Sequence, residues 1–295
     1  MKKVEDHVEQ ACCRSLDRIL HDLQNGLKFV RDKDLSADRL HNLRVSIRRT
    51  ESAVFMCQPW LRKSDRRWFE EQCQRLRTTS NAVRDCDVAL NWIEKHGQHR
   101  HYRKRLRSRR KRAGARLVPL VAGVLRAGQF KYHRKRIYRP ENYDGASTLA
   151  ARLLKLTGQF TELAADAFAD AAELHRWRVA GKKLRYALDF LAVVGCEAET
   201  EDARTALEEL QDRLGSTTDQ VQRQRLMQKS KSKNPEQLVG TEDLCWFLNC
   251  IQTTVAGVIS AASWCIAVQE RPDIDDGSSQ CENSRSGRAD HAQTV

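Results

Sequence analysis

The stretch LHNLRVSIRR, residues 40–49, sets three arginines and a histidine among regularly spaced aliphatic side chains. On a helix turning about 100° per residue, Leu40, Leu43, Ile47 and, further on, Val54 share one side, while His41, Arg44 and Arg48 fall together on another. A helix with one apolar face packs into a bundle, and here the other face is a row of cations. Residues 174–183, LHRWRVAGKK, repeat the pattern. There Leu174, Trp177, Leu184 and Leu188 line the apolar flank, and His175, Arg178, Lys182 and Arg185 the other, with Tyr186 beside His175.

The two stretches stand in register. His41 and His175 are 134 residues apart, and at that offset Arg44 meets Arg178, Val45 meets Val179, Arg48 meets Lys182 and Arg49 meets Lys183. The match persists at Leu76 with Leu210 and at Asp85 with Asp219. Two helical halves related by internal duplication are the economical reading.

The rest of the chain supports an all-α fold. Five prolines and fourteen glycines in 295 residues, with 31% charged side chains, favour long helices over strands and turns. Leu16, Ile19, Leu20, Leu23 and Leu27 predict a helix over 5–31. Ser36 or Asp38 caps the next, which runs through Met56 until Pro59, and a third follows from about 64 to 96. A fourth covers 99–128, its apolar side marked by Leu106, Leu117, Leu120 and Val124. RPENYDG, 139–145, is the internal linker. Helices then recur at about 146–171, at 173–194 with Gly195 as the stop, at about 199–214, and on to Lys229.

The charge-free run Leu244–Val268 is long enough to span a bilayer, but its Asn249, Gln252, two threonines and two serines assign it to a buried terminal helix. No membrane span is expected. Residues 271–295 are polar and aperiodic, and are expected to be disordered.

Ten cysteines contain no C-x-x-C spacing. Cys57, Cys73, Cys86, Cys245, Cys250 and Cys265 sit in helical apolar patterns, where a thiol acts as a small hydrophobe, so neither disulfides nor zinc are expected. That usage, and an N-terminal MKKVEDHVEQ without an apolar core, point to the cytoplasm.

The net charge of +13 is concentrated. Seventeen lysines and arginines and no acid lie between Lys95 and Pro140, so the remaining residues sum to −4. A local field of that sign attracts a polyanion: nucleic acid, anionic lipid or an inorganic phosphate chain. Within it Arg105, Arg109, Arg112 and Arg116 form a stripe bordering the apolar side of the fourth helix, placed to line a groove with the two histidine helices. Solvent faces usually mix signs. These rows are nearly single-signed, and like charges at i, i+4 cost a few tenths of a kcal/mol per pair unless an anion relieves them.

Other chemistries are weaker. His21-Asp22 and the DCD at 85–87 suggest a metal-dependent phosphohydrolase, yet both lie in helical patterns without a second histidine cluster or a glycine-rich phosphate loop. Asp85 recurs at Asp219, but Asp87 falls on Val221, which favours a structural role for Asp85 and Asp219 as cap or internal partner. No catalytic residue, metal or cofactor is expected. FKYHRKRIYR, 130–139, interleaves Phe130, Tyr132 and Tyr138 with cations and keeps RNA or DNA binding as the alternative.

LHNLRVSIRR, LHRWRVAGKKLRYALDF, RDCDV at 84–88 and LEELQDRLGSTTD at 207–219 together resemble the CHAD family, the conserved histidine α-helical domain. The resemblance covers roughly residues 5–270, with halves of about 5–138 and 146–270. It implies two antiparallel helical bundles with pseudo-twofold symmetry that bind inorganic polyphosphate in a basic groove or pore, with a possible place at polyphosphate granules. By position its histidines map onto His41 and His175, and its basic residues onto Arg44, Arg48, Arg49, Arg178, Lys182, Lys183 and Arg185. Two departures fall in the first half: Thr50 and Glu51 stand where the second has Leu184 and Arg185, and the family's Leu-Gly is Ser80-Asn81. No E-x-E-x-K of the triphosphatase often fused to this family precedes the module. Beside a polyanion a histidine pKa rises, so binding is expected to tighten in mild acid and to weaken with salt.

Overall fold

A computed structural model describes residues 2–32, 35–96, 102–138, 145–165, 171–198 and 200–212. Its helices are α1 (Lys2–Asp32), α2 (Ala37–Met56), α3 (Lys63–His96), α4 (Tyr102–Leu125), α5 (Gln129–Arg136), α6 (Gly145–Ala165) and α7 (Ala171–Val193). Residues 200–212 are helical as well. The all-α expectation holds, and among the described residues the only β feature is an isolated bridge between Leu61 and Tyr138.

Consecutive long helices run antiparallel. Gly26 of α1 faces Leu43 of α2, and at the other end Cys57 Sγ approaches the Cys12 carbonyl at 3.9 Å. Ser36 opens α2 as expected, its side chain accepting from the Arg39 amide at 3.3 Å. The aliphatic sides read from the sequence are the buried ones: Leu16, Leu20, Leu23 and Leu27 on α1, Leu40, Leu43, Ile47 and Val54 on α2, and Trp177, Leu184 and Leu188 on α7. They belong to one continuous core that also takes in Leu153 and Phe160 of α6 and Leu207 and Leu210. A separate small cluster of Ala89, Ile93 and Leu106 holds the far end of the α3–α4 pair.

α1 with α2 and α6 with α7 pack as two hairpins, and α2 lies against α7. The two hairpins are packed differently. In the first, Gly26 lies opposite Leu43, and a Cβ there would stand 3.7 Å from Leu43 Cδ1, an ordinary contact. In the second, Phe160 stacks on Trp177 at 5.4 Å, and a Cβ on Gly181 would stand only 3.1 Å from the Phe160 ring.

The fourth helix differs from its expected 99–128. It ends at Leu125, and Ala127 (φ 49) and Gly128 (φ 71) turn the chain through left-handed backbone before α5 begins. The basic segment after it is therefore a separate helix folded back on the bundle. Phe130 is buried against Phe69 at 5.2 Å, and His133 stacks on Trp68 at 4.3 Å while its Nδ1 lies 2.7 Å from Asp65 Oδ1. Arg134 donates from Nε and Nη2 to both oxygens of Asp17, each at 2.6 Å, and Tyr138 donates to the Cys13 carbonyl.

Cys57, Cys73 and Cys86 are buried thiols, and burial pushes each above its ordinary pKa. Cys245, Cys250, Cys265, Asp219, the run 244–268 and the tail 271–295 lie outside the described residues. No described helix is long and apolar enough to cross a membrane.

Candidate anion-binding surface

The cationic side of α2 meets α3. Arg44 Nη1 donates to Ser80 Oγ at 3.0 Å and to Asn81 Oδ1 at 2.6 Å. The guanidinium is partly buried, and its pKa is pushed down to about 10 by that burial, then by Arg48, Arg84 and Arg77, against the pull of Asp85. His41 stands one turn earlier. Burial and the charges of Arg84, Arg48 and Arg44 hold its pKa below the ordinary histidine value, with Asp38 opposing. His41, Arg44 and Arg48 thus form one field with two α3 residues that the helix-wheel reading of α2 did not include, Arg84 and Arg77. Both were visible as cations in the sequence, but pairing them with His41 needed the α2–α3 register.

Glu51, the acid in the first row, offsets one cation of this field. Its carboxylate accepts from Arg77 Nε at 2.9 Å. In the second half the polarity is reversed: Arg185 reaches Glu208 at 3.5 Å and lies 5.0 Å over the ring of Tyr186. Thr50 is buried and bonds the Ser46 carbonyl at 2.9 Å.

On α7, His175 and Lys183 are exposed, and Arg178, Lys182 and Arg185 are half-buried. Tyr186 is almost fully buried beneath Arg185 rather than displayed beside His175. Because α2 packs on α7, the two cation rows ride on neighbouring helices. Arg49 is exposed at the edge of the first row.

Arg105, Arg109, Arg112 and Arg116 are all exposed on α4, which packs on α3 and α1. Arg109 is close enough to Cys86 of α3 to lower its pKa against the effect of burial. The stripe therefore flanks α3 on the side of Cys86, while the His41 field meets α3 at Ser80, Asn81 and Arg84. Arg110, on the α3-facing side of α4, is consumed internally: it donates to the buried Asp87 and to the Leu35 carbonyl at 2.5 Å. Among the described residues no group of three or more His, Cys, Asp or Glu is arranged to hold a metal ion. His21 Nδ1 lies 3.1 Å from Arg134 Nη1.

A family model for the CHAD domain matches residues 14–228. The chain belongs to the CHAD domain family. The crystal structure of the CHAD domain from the plant Ricinus communis is similar in fold, with a TM-score of 0.58 and 20% identity over 89% of this chain and 90% of that one. No curated protein matches the chain. The CHAD match takes in both histidine helices, α3 with Arg77, Ser80, Asn81 and Arg84, and the whole of α4.

Proposed function

We propose that this CHAD domain binds inorganic polyphosphate along the cation rows of α2 and α7, with the α4 arginines extending the field. One observation carries the reading: Arg44 is drawn into a partly buried position where burial, Arg48, Arg84 and Arg77 outweigh the pull of Asp85 and its pKa falls to about 10. A protein that keeps like charges so close bears a cost that a bound anion removes. Family membership and the single sign of the Lys95–Pro140 segment support the same choice.

A phosphate chain presents charge at short, regular intervals and no base or side chain to read. Arginine meets it with forked, charge-assisted hydrogen bonds, lysine with a point charge. His41 joins as a cation once a phosphate is close, and His175 offers a second imidazole on the neighbouring row. Nothing in this chemistry requires bond cleavage, and we read the protein as a binder, not an enzyme, acting in the cytoplasm or at polyphosphate granules. The two rows are proposed to descend from one duplicated hairpin; Ala37 and Ala171 open α2 and α7 at the same spacing that separates the histidines.

RNA binding is the second reading, favoured by Tyr132, which is 52% exposed with Arg136 lying 4.7 Å over its ring. Titration with long-chain polyphosphate and with RNA at several salt concentrations separates the two. The expected result is tighter polyphosphate binding that falls steeply with salt and is lost when His41, Arg44, His175 and Arg178 are all changed to alanine. Equal affinity for RNA, or an unaffected variant, overturns the proposal; magnesium-dependent release of orthophosphate makes the protein an enzyme.

A further inference from the structure

Among the described residues, most of the half-buried arginines that meet a side-chain acceptor are held by carboxylates, Arg152 with Gln58 being an exception. Arg110 is held by Asp87, Arg134 by Asp17, Arg77 by Glu51 and Arg204 by Asp189. Such a clamp fixes the guanidinium and neutralises it together. Arg44 is held differently, by the hydroxyl of Ser80 and the amide oxygen of Asn81. Both partners are neutral, so the geometry is fixed and the charge is kept.

The details suit a ligand. Ser80 is fully buried, and its hydroxyl donates to the Arg77 carbonyl at 3.0 Å, which turns an oxygen lone pair toward Arg44. Both contacts fall on Nη1 of Arg44. A guanidinium has five N–H donors, and among the described residues no hydrogen bond engages Nε–H or the two hydrogens of Nη2, the side-on fork that grips two oxygens of one anion. At the 134-residue offset the equivalent positions are Leu214 and Gly215, whose side chains accept no hydrogen bond. The pair Ser80-Asn81 is thus particular to the first half.

We propose that Ser80 and Asn81 are positioning residues that hold Arg44 ready for a phosphate group, making the first row the pre-ordered part of the binding surface. This rests on the polyphosphate reading above. Ordering a long side chain before binding removes an entropy cost otherwise met on association, about three- to tenfold in affinity for one arginine.

Asn81 is exposed, so its variants test the idea without disturbing the core. Asn81→Ala is expected to weaken polyphosphate binding about three- to tenfold while leaving the slope of affinity against salt unchanged, because no charge is lost. Asn81→Asp keeps the hydrogen bond but neutralises Arg44, and is expected to lower the slope by about one charge, as Arg44→Ala does. Without ligand, 15N relaxation of the Arg44 Nε–H is expected to show an ordered side chain in the wild type and a mobile one in Asn81→Ala. Wild-type affinity in Asn81→Ala, or a mobile Arg44 in the wild type, overturns the proposal. Failure of the wild type to bind polyphosphate overturns the reading of the whole surface instead, and this inference with it.

Discussion

Arg77 Nε lies 2.9 Å from Glu51 Oε1, and this pair, spanning α3 and α2, stands at the edge of the Arg44 field. The carboxylate offsets one cation without touching Arg44 itself. Glu51→Ala therefore releases the charge of Arg77 into the field. Polyphosphate affinity is expected to rise about two- to fivefold at low salt, with a steeper salt dependence. Both side chains are partly exposed, so the loss of stability is expected to stay within about 1 kcal/mol. Paired titrations and urea melts of wild type, Glu51→Ala and Glu51→Gln check both halves of the statement.

His41 is held below its ordinary pKa in the free protein by burial and by Arg84, Arg48 and Arg44. A polyanion screens those cations and raises the value. The complex then binds more protons than its separated parts, so affinity is expected to increase as pH falls from about 7 to about 5.5. Folding responds with the opposite sign. The unfolded chain takes up the His41 proton at the ordinary value and the folded chain only at lower pH, so this histidine's contribution to stability is lost as pH falls below about 6.5. Binding curves across pH for wild type and His41→Gln test the first claim, and a flatter profile in the variant is the expected result.

Gly181 stands where a Cβ would meet the Phe160 ring at 3.1 Å. Alanine in a helix ordinarily gains about 1 kcal/mol over glycine. Here the ring is buried and stacked on Trp177, so it has little room to retreat. Gly181→Ala is expected to cost a net 1–2 kcal/mol, roughly the penalty of an overpacked core. In a Phe160→Leu background the same change is expected to stabilise, which a four-member thermal melt cycle would show.

Asp87 is buried and engaged by Arg110, which also ties down the Leu35 carbonyl between α1 and α2. Removing the carboxylate leaves a half-buried guanidinium without its counter-charge. Asp87→Ala is expected to lose about 3 kcal/mol of stability while polyphosphate affinity, measured below the melting range, changes less than twofold. A variant that keeps its stability and loses a magnesium-dependent activity would reassign the residue.

The long elements were legible because aliphatic spacing depends only on which side of a helix is dry. Leu40, Leu43 and Ile47 against His41, Arg44 and Arg48 could be read from residue spacing alone, and so could the stop at Gly195, where φ is 113°, whereas the cap of α2 stayed open between Ser36 and Asp38 until the structure gave Ser36. α5 was not legible. Its start depends on Ala127 adopting a left-handed conformation that alanine disfavours, and its place is fixed by Asp65 and Asp17, distant in sequence. The same limit applied to the surface. The cations of α2 were apparent, whereas the contributions of Arg84 and Arg77, the reversed pair at Glu51 and the neutral clamp on Arg44 all depend on which residues of α3 come opposite α2. A helix wheel treats one element at a time, and these are relations between two.

The core that unites Leu16, Ile47, Phe160, Trp177 and Leu207 passes through both hairpins without a break. Neither histidine helix is therefore separable from the other as an independent module. A chain cleaved between Tyr138 and Gly145 would yield fragments each presenting a large greasy face, obliged to find one another again or to aggregate, and the intact protein should melt in a single cooperative step. The two cation rows are built on one folding unit, so damage to either is felt by both.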